Sequence, residues 1–330
     1  MKNFEYAAPQ TEAEALALLS DVPGQTEILA GGTDLVGLMK KMIVTPDRVV
    51  NIMGIPSLKT FERTEDGGLI IGAAVTLDEI VDHPYLDDYP AIRLAIRGIS
   101  SMQLQCQGTI GGEICQRPQC WFFRHGEGLL GGAGETVESG DNRFHAIFGN
   151  DGPAKFVSSS RIGPALIALN AQVRIAGPTE ADEQLLSVAE FFRAPRHERQ
   201  RETALRPNQL LTHIVLPPAN GAGSATYEVR HGAGPEFPLA SAAASLRIEG
   251  GVVREARVVM GQVAPTPWLS PEAAAVVVGR VMNDELADAA GQAAVAGATP
   301  LSQNEYKVQL AKVAVKRALL LAAGLPTGGF

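Results

Sequence analysis

Apolar and polar positions along the first hundred residues change over with short periods, which predicts small elements in quick succession. Thr11 to Ser20 reads as a helix capped by Thr11, with Ala13, Leu16, Leu18 and Leu19 forming most of one apolar side. Asp21-Val22-Pro23-Gly24 ends it. Glu27 to Ala30 is a short strand, Gly31-Gly32-Thr33-Asp34 a turn, and Leu35 to Lys41 a helix opening directly from that turn. Val49 to Ile52 and Leu69 to Ala73 are strands. Leu77 to Val81, capped by Thr76, and Pro90 to Gly98 are helices. This alternation points to an α+β or α/β unit.

The period disappears between Gly126 and Gly140, which reads as a long surface loop. Gly163 to Leu169 is a helical patch; Gln172 to Ile175 and Gln209 to Leu216 are strands. Arg193 to Arg206 is expected to be a solvated charged segment, and Pro217 to Ser224 is the best linker in the chain. Ala242 to Ile248 and Val252 to Met260 flank Glu249-Gly250-Gly251, a hairpin signal. Pro271 to Ala323 is alanine-rich and helical, so the last hundred residues fit a three-stranded sheet with helices on one face.

Composition narrows the function classes. The 330 residues carry 28 Lys and Arg against 36 Asp and Glu, a balance of −8 that argues against a nucleic-acid binder. No uncharged apolar run reaches the roughly 18 residues of a membrane span, and Met1 to Tyr6 has no apolar signal core, so the expected location is cytoplasmic. The three cysteines, Cys106, Cys115 and Cys120, are an odd, clustered set and form no disulfide framework. The six histidines lack ligand spacing, and no metal site is expected.

Glycine makes up 35 residues, and two of its pairs sit at turns with chemical promise. In Ile28 to Leu35 a strand, Gly31-Gly32 and a helix start place backbone N–H groups around a concavity where a pyrophosphate fits. The pattern is neither G-x-G-x-x-G nor a P-loop. Gly108-Thr109-Ile110-Gly111-Gly112-Glu113 offers a second such turn with a hydroxyl. Two close-approach turns suit a dinucleotide better than a single phosphate, and two unrelated tight turns remain the plain alternative.

Ala30 to Leu35, Thr109-Ile110-Gly111-Gly112 and Leu210 to Pro217 resemble the FAD-binding subunit of the molybdenum hydroxylases, the xanthine dehydrogenase and carbon monoxide dehydrogenase group. Phe237 to Ala243, Gly261 to Pro267, Asn304 to Lys307 and Arg317-Ala318-Leu319 are similar to the terminal domain of the same family. The resemblance runs in order over essentially the whole chain. It implies an α+β fold: an FAD domain of the vanillyl-alcohol-oxidase (PCMH) type over residues 1–222 and a C-terminal α+β domain over 223–330. It implies FAD, a molybdopterin-binding large subunit, a small subunit with two [2Fe–2S] clusters, and an external acceptor (NAD, oxygen, a quinone or ferredoxin). Leu29, Ala30, Gly31, Gly32, Thr33, Asp34 and Leu35 would then wrap the pyrophosphate. Thr109, Gly112 and Glu113 would line the ribose, pyrophosphate and flavin, and Leu211 would pack near a ring. No catalytic residue is named, because the flavin carries the redox chemistry. A stand-alone FAD oxidoreductase, or a scaffold that has lost FAD, stays open beside this reading.

Three positions depart from the family pattern: Glu113 stands where Asn is common, Arg161 where Asp is common, and Glu228 where Lys is frequent. Arg161 replaces a carboxylate contact to FAD with a guanidinium able to reach phosphate. The stretch Gln116 to Phe123 is similar to the start of an insertion that holds a [4Fe–4S] cluster in some relatives. Such a cluster wants four thiolates; after Cys120 the chain has none, so the three cysteines are expected to be reduced and structural. Arg143 and His145 could anchor the loop near the flavin, or His145 is simply a satisfied half-buried histidine. Trp121-Phe122-Phe123 reads as core rather than as a docking patch.

Overall fold

The computed structural model describes residues 1–232 and 234–328. Three short parallel strands open the chain: β1 (Glu5–Ala7), β2 (Thr26–Leu29) and β3 (Arg48–Asn51), in the order β1-β3-β2. The helix between β1 and β2 runs Glu12–Leu18, and Thr11 caps it by accepting from the Glu14 N–H at 3.1 Å. Next comes an antiparallel sheet of five strands: β4 (Phe61–Arg63), β5 (Leu69–Gly72), β6 (Gln172–Ala176), β7 (Gln184–Ser187) and β8 (Leu210–Leu216), ordered β4-β5-β8-β6-β7. β8 is central because Leu210 to Ile214 are buried in succession, as a strand covered on both faces requires. The helix Leu77–Val81 carries a full capping box from Thr76 and Glu79.

The C-terminal sheet has one strand more than the pattern predicts. β9 (Gly223–Val229), β10 (Ala240–Glu249), β11 (Val252–Gly261) and the two-residue β12 (Trp268–Leu269) lie in the order β12-β11-β10-β9. β9 takes up the end of the segment read as a linker. Helices also cover both faces, not one. Ala242, Ala244, Val258 and Met260 pack toward the helices Pro271–Val277, Asp284–Val295 and Tyr306–Ala322, while Ala243 and Val259 join the core of the preceding sheet. Small side chains on β10 let two layers press on one strand, so the two domains share a seam.

Residues 126–140 are not a bare loop: a 3-10 turn at Gly132–Gly134 leads into a helix, Glu135–Ser139. This lobe closes on its own apolar cluster of Leu38, Phe123, Leu129, Leu130, Ala154 and Phe156. Lys307 pins its far side, its Nζ donating to the carbonyls of Phe144, His145 and Gln262 at 3.1, 3.0 and 2.7 Å. The run Arg193 to Arg206 is only partly solvated. Glu198 accepts from the Leu129 and Leu130 N–H groups, and Glu202 is buried against Arg117. No described helix is long and apolar enough to cross a membrane.

Candidate functional site

A cavity of about 450 Å³ runs between the first sheet, β8 and the C-terminal domain, within the size range of sites for cofactors. Eleven of the twelve residues expected to meet the dinucleotide line it: Ala30, Gly31, Gly32, Thr33, Asp34, Leu35, Thr109, Gly112, Glu113, Arg161 and Leu211. Leu29 does not. Its side chain lies beneath Gly32, 3.1 Å from where a Cβ there would sit.

The first turn is open. The N–H groups of Gly31, Gly32, Thr33, Asp34 and Leu35 have no acceptor among the described residues, and Val36 is the first to donate back, to the Gly32 carbonyl at 3.2 Å. Successive unpaired N–H groups on a half-open cavity wall form a nest that suits an anionic ligand. Glycine is required twice. Gly32 has φ +72°, and a Cβ on Gly31 would sit 1.6 Å from the Gln107 carbonyl oxygen. That second contact also shows that the two glycine turns touch. The helix that follows, Leu35–Lys40, is only six residues long, so the main-chain groups matter more than a helix dipole.

The second turn is largely closed, which corrects the expectation of two equivalent cradles. Gly108 donates to Leu104, Ile110 to Val75, Gly111 to Ala73, Gly112 to the Thr109 hydroxyl oxygen and Glu113 to the Thr109 carbonyl, at 2.7 to 3.1 Å. Its glycines serve close packing: a Cβ on Gly111 would lie 2.7 Å from that of Ala73. Thr109 caps the helix Ile110–Cys115. This turn forms wall and support: five of its amides are committed to protein, and the Thr109 N–H alone has no acceptor among the described residues.

Both acidic side chains of the turns are held by protein donors. Asp34 accepts from the Arg117 N–H at 2.8 Å and from the Arg124 guanidinium at 2.6 Å. Glu113 accepts from the Ser160 hydroxyl at 2.7 Å and from the backbone N–H groups of Arg161 and Ile162. Burial nonetheless pushes its carboxyl up to about 7. Glu113 therefore does not stand as a free charge against a diphosphate. Arg161 is committed as well, its guanidinium reaching the carbonyls of Gly98 and Glu236 and pairing with Glu228 at 3.4 Å. The expected direct reach to phosphate gives way to a cation fixed in the wall.

Sequence reasoning missed Arg117, Arg201, Glu202, Gln209 and Phe237, which also line the cavity. Gln209 carries a second fitting signal, because its buried Nε2 has no partner among the described residues. Its flank of Pro207 and Leu210 reads as ordinary strand entry, so nothing local marks it. The cavity thus offers an amide nest, an unmet donor and apolar wall at Ala73, Ile99 and Leu211, a set that fits a flavin dinucleotide.

The cysteines lie apart from one another in role. Cys106 is exposed, and Cys115 lines the cavity with burial pushing its thiol up to about 12. Cys120 Sγ lies 3.2 Å from His145 Nε2. Burial, with Lys307 nearby, pushes His145 down to about 4, so the pair is a neutral thiol and imidazole. His145 and Arg143 are not in the cavity wall, and Phe123 is core. Among the described residues no three or more His, Cys, Asp or Glu side chains come together as a metal site.

Comparison with known proteins agrees with this geometry. The family model "FAD binding domain in molybdopterin dehydrogenase" matches residues 2–219, and "CO dehydrogenase flavoprotein C-terminal domain" matches 213–322. The chain is 32% identical to an aldehyde oxidoreductase FAD-binding subunit of Escherichia coli, over 94% of this chain and 96% of that one. It is 28% identical to a carbon monoxide dehydrogenase medium chain of Afipia carboxidovorans, over 96% of each. A solved carbon monoxide dehydrogenase of Hydrogenophaga pseudoflava, lacking the Mo-pyranopterin moiety of its cofactor, superposes with a TM-score of 0.76 at 26% identity, over 97% of each chain.

Proposed function

The chain belongs to the FAD-binding subunits of the molybdenum hydroxylase-type dehydrogenases, and from that premise we propose how it works within such a complex. It takes electrons from the [2Fe–2S] clusters of a small partner subunit, which are filled from a molybdopterin-binding large subunit. It passes them to an external acceptor: NAD, oxygen, a quinone or ferredoxin. When bound, FAD supplies the redox centre that links these carriers. We read the boundary between its two domains at 222/223, a reading supported by β9, which begins at Gly223.

The residues of this chain bind and orient. The open N–H groups of Gly31 to Leu35 hold the pyrophosphate, with Leu29 and Ala30 setting the entry of the turn. Thr109, Gly112 and Glu113 shape the opposite wall, Leu211 gives a ring an apolar surface, and Arg161 provides a buried positive charge. The five unpaired amides carry this reading. It is tested by purifying the chain alone and with co-expressed partners. One FAD per chain, reduced by substrate only when the partners are present, is the expected result. A colourless chain that takes up no added FAD overturns it.

A further inference from the structure

The strongest unexplained feature outside the amide nest is a buried charge pair that crosses the domain seam. Arg161 follows the serines at 158–160 in the first domain, and Glu228 lies on β9 in the second. Their side chains are 4% and 7% exposed, and the pair is 3.4 Å apart. The guanidinium is held on three further sides. Arg161 Nη1 donates to the Gly98 carbonyl at 2.9 Å, Nη2 donates to the Glu236 carbonyl, and the Phe237 ring centre lies 5.5 Å away. Glu228 is poorly served by comparison. Neither of its oxygens accepts a hydrogen bond among the described residues, Arg230 Nε is 3.8 Å off, and burial raises its carboxyl. Its carboxylate rests on Gly98, where a Cβ would lie 2.6 Å from Oε2.

A buried ion pair of this kind is weak as a source of stability, because desolvation offsets much of the attraction. An apolar pair of similar volume would serve the seam as well. What distinguishes this one is its place: Arg161, Pro235 and Phe237 line the cavity, and Glu228 sits behind the arginine, outside the wall. We propose that Glu228 is a positioning residue for the cofactor. From the C-terminal domain it holds Arg161 as a fixed cation against FAD and moderates its charge. The electrostatics of that end of the cavity are therefore set jointly by both domains. Reduction adds negative charge to a flavin, and the diphosphate is anionic, so such a cation strengthens binding or raises the potential according to the part of FAD it meets.

The inference rests on the assignment of Arg161 to the FAD wall given above. Wild-type chain without FAD would fail that assignment, whereas FAD-loaded wild type with unaltered variants fails only this proposal. The test compares the full chain with Glu228→Gln, Arg161→Gln and the exchanged pair Arg161→Asp with Glu228→Lys. Melting temperature, FAD dissociation constant and midpoint potential are read for each. Arg161→Gln is expected to weaken FAD at least tenfold or to lower the midpoint by about 30 mV, a tenfold change for a two-electron couple. Glu228→Gln should displace the same quantity in the opposite direction. The exchanged pair should regain the melting temperature while its affinity or potential stays displaced on the Arg161→Gln side. Affinities and potentials within twofold of wild type throughout, both neutralisations moving in the same direction, or an exchanged pair that restores all three readings overturns the proposal. Should Arg161→Gln fail to fold, Glu228→Gln and the exchanged pair decide by the same criteria.

Discussion

The two glycine turns are near twins as sequence and opposites as structure. Gly31 to Leu35 leaves five successive amides along a cavity without acceptors among the described residues, whereas Gly108 to Glu113 gives all but the Thr109 amide to Leu104, Val75, Ala73 and its own capping threonine. One needs glycine for a left-handed φ and for contact with the Gln107 carbonyl; the other needs it to fit against Ala73. A paired glycine at a turn thus says that backbone comes close to something. Whether that something is ligand or protein depends on where the N–H groups point.

Substitution separates the two roles. Gly31→Ala is expected to have the largest effect: its Cβ meets backbone at 1.6 Å, so the turn must move. FAD affinity should fall at least a hundredfold, or about 2.7 kcal/mol, with a loss of stability beside it, read by flavin fluorescence and thermal unfolding. A variant retaining wild-type affinity breaks the claim that the first turn is the binding one.

The acid of the second turn comes next. Burial raises Glu113 from 4.5 to about 7, so the folded chain holds this proton over a range in which the unfolded chain has released it. Stability from this group is therefore greatest below pH 4.5, falls as pH rises toward 7, and is level above that, a change on the order of 3 kcal/mol. Denaturant melts at fixed FAD saturation should show that slope, and Glu113→Gln should flatten it. A slope unchanged in the variant sinks this account.

Gly111→Ala follows, with an overpacking loss of about 1–3 kcal/mol and FAD affinity of the folded protein within about threefold, or about 0.7 kcal/mol. Thr109→Ala is the smallest: a lost helix cap worth about 1 kcal/mol, again without a large change in affinity. If either of these variants costs more affinity than stability, the second turn binds as the first does and the contrast disappears.

Much of the fold was legible because local rules were obeyed. Thr76 and Thr11 announce their helices by capping, and Pro90 to Gly98 is bounded as read. β9 escaped notice because Gly223 and Ser224 continue a Pro, Asn and Gly run, and its partner is β10, a strand that follows it. The helix Glu135–Ser139 escaped because glycines surround it, and its support comes from partners folded against it, Lys155 pairing with Glu138 and Asn142 donating to the Val137 and Glu138 carbonyls. Glu202 sits in a segment whose charge suggests solvent and Gln209 reads as the start of a strand, yet both join the cavity wall, Glu202 through Arg117 and Gln209 beside β8.

Sequence alone determined the order of the elements, the two turns that must contain glycine and the family likeness, since capping, turn chemistry and close approach are written in neighbouring residues. Tertiary structure decided which turn keeps its amides free, which way Asp34 and Glu113 face, and that Arg161 meets Glu228 across a seam. Those outcomes depend on the hydrogen-bond partners that folding brings from distant parts of the chain, and local residue order carries no record of them.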